Sequence, residues 1–187
     1  RGVVETAIQR ASQATGVDFT FLLKTAHRES GYNPRAQAPT SSAAGLFQFV
    51  EQTWLSTLKQ HGAKYGYARY ADLIVKGTDG RYHVQGAEAR KAVMDLRLDP
   101  HASSLMAGEL ASDHAAYLKG RTGRAPTSGE LYAAHFLGPQ GSALLIEART
   151  SLRFFYRSVF FIPVMATLIA MAISWEYMLH PQFGLIN

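Results

Sequence analysis

The chain has 187 residues, 19 lysines and arginines against 14 aspartates and glutamates, a net charge of +5 and no cysteine. A 47% apolar composition excludes a disordered chain, and the missing cysteine excludes a disulfide framework, a thiolate metal site and a cysteine nucleophile. The length suits one compact domain of about 150 residues with a small remainder, and the scattered basic residues form no run of the kind a nucleic-acid patch needs.

Residues 2–14 have Val4, Ala7, Ile8 and Ala11 at helical spacing, and Gly16 ends that helix. Asp18 is placed to cap a second helix, Phe19 to about Ser30, which Gly31-Tyr32-Asn33-Pro34 terminates. A loop rich in Ala, Ser, Thr and Pro occupies 35–44, and a third helix starts at about Gly45 or Thr53 and runs through Leu58. Residues 61–82, with Tyr65, Tyr67, Tyr70 and Tyr82 among glycines, read as a surface excursion with short helical pieces. Helices are predicted over 86–97 and 99–119, the second with Asp99 as cap and Pro100 in its first turn. After a turn at 121–126, Ser128, Leu131, Ala134 and Phe136 mark another helix. No strand-like alternation and no internal repeat is visible, so the first 148 residues are predicted to be all-α.

The stretch that bears on chemistry is His27-Arg28-Glu29-Ser30-Gly31-Tyr32-Asn33-Pro34, followed by Gly45-Leu46-Phe47-Gln48-Phe49. Leu22, Ala26 and Glu29 share one helix face, which puts a carboxyl near the apolar side and the negative end of its helix. Both surroundings disfavour the charged form, the condition a general acid requires; a carboxylate at a helix end is more often a solvated surface charge. Gln48 places an amide in an apolar setting, where it wants a partner that a ligand can supply. Tyr132 and His135 lie three apart on one helical face, with Tyr132 able to donate to Glu29 or to a ligand, or to be a core aromatic with its hydroxyl at the rim. The histidines His27, His61, His83, His101, His114, His135 and His180 have no paired ligand spacing, so no metal and no cofactor is expected.

In this order, Glu29-Ser30, Asn33-Pro34, Gly45-Leu46-Phe47-Gln48, Thr53 and Tyr132 resemble the motifs of lytic transglycosylases of the soluble (Slt) type, over roughly residues 3–145. The family has Met where this chain has Phe47, and Ala-Tyr-Asn-Ala-Gly where this chain has Leu131-Tyr132-Ala133-Ala134-His135, so His135 replaces a glycine. The resemblance implies a goose-lysozyme-like helical domain that acts on peptidoglycan glycan strands. It implies cleavage of the β-1,4 bond between N-acetylmuramic acid and N-acetylglucosamine with a 1,6-anhydromuramoyl product. Glu29 is then the catalytic residue, acid first and base second. Ser30 and Tyr132 orient it, and Gln48, Phe47 and Phe49 line the glycan groove. Ser41, Ser42 and His135 are further substrate contacts. The competing readings are a hydrolytic muramidase, a non-catalytic peptidoglycan-binding module and a membrane permease fragment.

The last part of the chain is of another kind. Residues 1–150 hold 17 of the 19 basic and 13 of the 14 acidic residues, a net +4 that suits an anionic partner, whereas 158–175 has no charge. Eighteen helical residues span about 27 Å, near the thickness of a hydrocarbon core. Phe154, Phe155 and Tyr156 at one end and Trp175 and Tyr177 at the other are placed like interfacial belts. One transmembrane helix over 158–175 is therefore predicted, against the alternative of a buried core helix. Residues 153–187 resemble a segment of the permeases of sugar ABC transporters, and the chain divides into 1–148 and a permease-like 149–187 that reads as a fusion or a gene-model join. Arg1 without an apolar leader points to a processed form or a fragment. The expected location is the periplasm or cell envelope, with the C-terminal helix as an inner-membrane anchor. The arginines at 149, 153 and 157 conflict with that, since they place 1–150 on the cytoplasmic side.

Overall fold

The computed structural model describes residues 2–148 together with Ala170 and Met171. The helix α1 (Gly2–Thr15) buries Val4, Ala7, Ile8 and Ala11, the residues whose spacing predicts it. Gly16 stops it in the left-handed region, with φ of 73°. Asp18 then accepts from the Phe21 N–H at 2.8 Å and caps α2 (Phe19–Ser30). Gly31, at φ of 60°, closes α2 by donating its N–H to the Ala26 and His27 carbonyls.

Residues 45–49 are not the start of the third helix. Ala44 bridges both Gln37 and Phe49 in antiparallel pairs, which folds the segment back on itself, and α3 (Glu51–His61) begins beyond it. Ser42 accepts from the Glu51 N–H at 3.2 Å, so a loop serine nine residues upstream supplies the cap that Val50 lacks.

The Tyr-rich excursion contains a 3₁₀ turn (Gly62–Tyr65), the one-turn helix α4 (Ala68–Ala71) and a hairpin of β1 (Ile74–Lys76) and β2 (Tyr82–Val84). This corrects the all-α prediction: Ile74 pairs with Val84 and Lys76 with Tyr82 in antiparallel register. Strands of three residues are too short to register as alternation. The hairpin is pinned to α3 by Gln52, whose amide gives to the Tyr82 carbonyl and receives from the Tyr82 N–H, each at 2.9 Å.

The helix predicted over 86–97 divides into α5 (Ala87–Asp95) and a 3₁₀ turn (Leu96–Leu98). Asp99 caps α6 (Pro100–Thr122) by accepting from the His101 N–H, with Pro100 at its first position. Thr127 and Glu130 form a reciprocal capping box at α7 (Ser128–Leu137), and residues 139–148 are again helical.

The spine is α6, buried on several faces by α1, α2 and α3. At Gly108 it lies so close to α1 that an added Cβ would meet Thr15 Oγ1 at 2.6 Å. Trp54, fully buried, donates its indole N–H to the Val93 carbonyl at 2.9 Å and ties α3 to α5. The buried Glu109 of α6 receives Lys64 and the Tyr65 hydroxyl on one oxygen and faces His61 with the other, which fastens the excursion to the spine.

Among the described residues no helix is long and apolar enough to cross a membrane. Apart from Ala170 and Met171, the span expected over 158–175 lies outside the described residues, as does the permease-like segment with its flanking arginines.

Candidate active site

A cleft of about 600 Å³ opens between the end of α2, the 43–53 segment, α6 and α7. Glu29 enters it from the last turn of α2 with its side chain 18% exposed. The Tyr132 hydroxyl donates to Glu29 Oε1 at 3.3 Å, and His135 Nε2 lies 3.8 Å from the same oxygen. Tyr132 and His135 stack with ring centroids 6.4 Å apart, as their spacing of three on α7 dictates. The Arg28 guanidinium sits 4.8 Å from the Tyr132 ring centroid, so neighbouring residues of α2, Arg28 and Glu29, both meet this tyrosine of α7. Burial and the neighbouring carboxyl of Glu29 push the Tyr132 phenol up, which keeps it a neutral donor.

Ser30 is not in the cleft. Its hydroxyl lies 2.8 Å from the Leu46 carbonyl and 3.1 Å from the Ala26 carbonyl, and so clips the turn after α2 to the 45–49 segment. That segment needs Gly45: at φ of 84° its position would bring a Cβ to 2.2 Å from the Arg97 carbonyl. Arg97 in turn donates to the Ser42 and Phe49 carbonyls, at 2.6 and 2.9 Å, and holds the loop from below.

Gln48 does line the cleft, at the unusual φ of 50°. Its amide nitrogen is taken up by the Ala36 and Gly45 carbonyls, at 3.1 and 2.9 Å, which leaves the amide oxygen as the atom that can meet a ligand.

Phe47 corrects the sequence reading. It is fully buried in the core and lines no groove, because the turn at Gly45 points it inward while Gln48 points out. Phe49 is 2% exposed and packs edge-to-face on Trp54 at 5.2 Å, contributing only a wall behind the cleft. Ser41 and Ser42 are exposed but spend their hydroxyls on the Ala43 and Glu51 N–H groups; it is Ala43 that reaches the cleft.

Residues the sequence reading passed over complete the walls. Phe136, 76% exposed, stands on α7 four residues after Tyr132, a spacing that was available in the sequence, and Pro139 joins the wall from beyond the helix break at Gly138. Leu110 and His114 come from α6, a helix buried on so many sides that no single face announces itself. Burial, with His135 nearby, lowers His114 to about 4. Burial lowers His135 as well, against the upward pull of Glu29 and of the Phe47 carbonyl. Both rings are thereby held towards the neutral form. Among the described residues no cluster of three or more His, Asp or Glu is arranged to hold a metal ion.

Among the described residues that line this cleft, Glu29 is the single carboxylate. The two acids nearest to it in sequence are occupied elsewhere: Asp18 caps α2, and Glu51 pairs with Arg90 at 2.8 Å.

Residues 6–72 match the family model described as the transglycosylase SLT domain. Over 46 residues the chain is 48% identical to the protein named Probable transglycosylase SceD in Staphylococcus aureus strains Mu3, N315 and Mu50. That stretch is 24% of this chain and 20% of the relative, so the chain spans about a fifth of the length of the curated relatives it matches. The family match contains Glu29, Ser30 and the 45–49 segment, whereas Tyr132 and His135 lie beyond it.

Proposed function

We propose that residues 1–148 form a lytic transglycosylase domain that cleaves peptidoglycan between N-acetylmuramic acid and N-acetylglucosamine. The observation that carries the reading is a lone carboxylate, Glu29, in a cleft large enough for sugar rings and braced by a phenol. A glycosidase that hydrolyses through two enzyme groups needs a second carboxylate for its water or its covalent intermediate. An intramolecular route needs one.

Glu29 gives its proton to the glycosidic oxygen, the bond from C1 of the muramoyl ring to that oxygen breaks, and the 2-acetamido carbonyl stabilises the electron-poor C1. The resulting carboxylate takes the proton of the muramoyl 6-hydroxyl as O6 bonds to C1. Glu29 is protonated again, and no water is consumed. Holding O6 and C1 in one ring system removes the entropy of bringing a nucleophile in. Tyr132 keeps Oε1 in place throughout, Gln48 offers an amide oxygen to an N–H or hydroxyl of the glycan, and the exposed Phe136 ring offers a face for a sugar to stack on.

The substrate places the domain in the cell envelope. The division at 148/149 and an anchoring role for 158–175 belong to the same proposal.

Mass spectrometry of peptidoglycan digested by the full chain tests the reaction. Release of 1,6-anhydromuramoyl ends is expected. Reducing muramic acid ends instead make the domain a hydrolytic muramidase, and binding to sacculi without any release makes it a glycan-binding module.

A further inference from the structure

Tyr132 stands between the cleft and a second cavity. Its hydroxyl meets Glu29, which lines the cleft, and the residue itself lines a cavity of about 200 Å³ between α2 and the first turn of α7. Thr20, Lys24 and Arg28 enter this cavity at successive offsets of four along α2, and α7 adds Ser128.

Neither cation is spent on a carboxylate. The Lys24 ammonium has no hydrogen bond or ion pair with any described residue, and Arg28 has no ion pair; its guanidinium lies 4.8 Å from the Tyr132 ring centroid. Among the described residues on the cavity wall the one carboxylate is Asp18, which turns to its own helix and accepts from the Phe21 N–H at 2.8 Å. Positive charge is therefore in excess there. Like charges four apart on a helix repel each other, and an anion set between them removes that cost. The Thr20 and Ser128 hydroxyls have no partner among the described residues. Two cations and two hydroxyls match a carboxylate, whose two oxygens accept several donors.

We infer that this cavity is a subsite for a carboxylate of the peptide carried by the muramoyl sugar. The inference rests on the reading of the cleft as a peptidoglycan-cleaving site and deepens it. The sugar that loses its glycosidic bond carries a peptide through the lactyl group on O3, and that peptide has free carboxylates. Arg28 and Glu29 are consecutive on α2 and Tyr132 meets both, so a sugar held at the acid stands one side chain away from the cations. The cavity thus selects for substrate that bears its peptide, while Glu29 breaks the bond.

The test compares soluble glycan strands in three forms: native, with the carboxylates amidated by carbodiimide and ammonia, and stripped of peptide by an amidase, which leaves only the lactyl carboxylate. Anhydromuramoyl release by the full chain gives KM on each, with circular dichroism confirming the fold. For the wild type, KM is expected to be about fivefold higher on the amidated and on the stripped strands than on the native ones, the effect of one or two exposed ion pairs. The difference is expected to shrink in high salt. Lys24→Gln is expected to bring the amidated-to-native ratio to about twofold or less, and Lys24→Glu to reverse the preference. Lys119→Gln removes an exposed charge of α6 that lies outside the cavity and is expected to keep the wild-type ratio.

A wild-type KM indifferent to amidation, a Lys24→Gln ratio equal to that of the wild type, or the same loss in Lys119→Gln overturns the inference and leaves the transglycosylase reading standing. A full Lys24 effect on stripped strands puts the carboxylate on the sugar and overturns its assignment to the peptide. A folded wild type that releases nothing overturns the functional reading instead. Co-sedimentation with native and amidated sacculi then decides for the cavity: amidation is expected to weaken binding of the wild type and of Lys119→Gln but not of Lys24→Gln, and equal weakening in all three refutes it.

Discussion

The Tyr132 hydroxyl reaches Glu29 Oε1 across 3.3 Å of space and 103 residues of sequence. This one contact joins the last turn of α2 to the first half of α7 and places the acid between an apolar wall and a phenol. Its consequences are open to measurement.

Removing the acid is the primary test of the chemistry. Glu29→Gln keeps the shape and the hydrogen bond with Tyr132, so the variant is expected to fold and to bind sacculi. Proton transfer by a placed side chain contributes about 10²–10⁴-fold, and anhydromuramoyl release is expected to fall by that amount. A variant with more than about a tenth of wild-type turnover would move the acid to another residue.

The phenol is expected to matter less. Tyr132→Phe retains the ring under Arg28 and removes only the hydroxyl. A hydrogen bond to a charged group is worth about 1.5–3 kcal/mol, and a 3.3 Å contact belongs at the weak end. A kcat lower by roughly tenfold is expected, with little change in melting temperature.

Ser30 gives the opposite pattern. Its hydroxyl bridges the Ala26 and Leu46 carbonyls, so Ser30→Ala is expected to reduce stability by about 1–3 kcal/mol in urea unfolding. KM for glycan is expected to stay near the wild-type value. A raised KM at unchanged stability would restore Ser30 as a substrate contact.

Gly45 is a backbone requirement of the site. Gly45→Ala puts a methyl 2.2 Å from the Arg97 carbonyl at a φ of 84°. A side chain in that conformation costs about 1–2 kcal/mol before the clash is counted, and overpacking adds about 1–3 kcal/mol. A loss of about 3 kcal/mol in unfolding free energy is expected.

His114 links stability to pH. Its folded value is lowered from 6.5 to about 4 by burial and by His135. As pH falls through 6.5 the unfolded chain takes up a proton that the folded chain refuses, so the stability present at neutral pH is lost between 6.5 and about 4. A shift of this size corresponds to about 3 kcal/mol. Urea unfolding at pH 7 and pH 4 is expected to show His114→Gln losing less stability on acidification than the wild type by that margin.

Much of the fold was legible because its signals are local. Asp18, Gly31, Asp99 and Pro100 act within a turn of where they stand, and the α1 stripe needs only the pitch of a helix. The motif residues Glu29, Gln48 and Tyr132 were likewise legible, as residue types in a recognisable order. The hairpin was not, because three-residue strands held by Gln52 of α3 depend on a side chain thirty positions away.

The sequence by itself determined the helical character of residues 2–148, the caps that bound the helices, and the presence of one carboxyl near the end of α2. Tertiary structure alone decided which oxygen of Glu29 is held, that Phe47 faces the core while Gln48 faces the cleft, and that His114 and His135 share its floor. The reason is physical. Caps and apolar spacing are interactions between residues a few positions apart, whose geometry the backbone itself supplies. The cleft exists only where α2, α6 and α7 close around the loop at Gly45, and the burial and charge of its residues come from neighbours that the chain brings together only on folding.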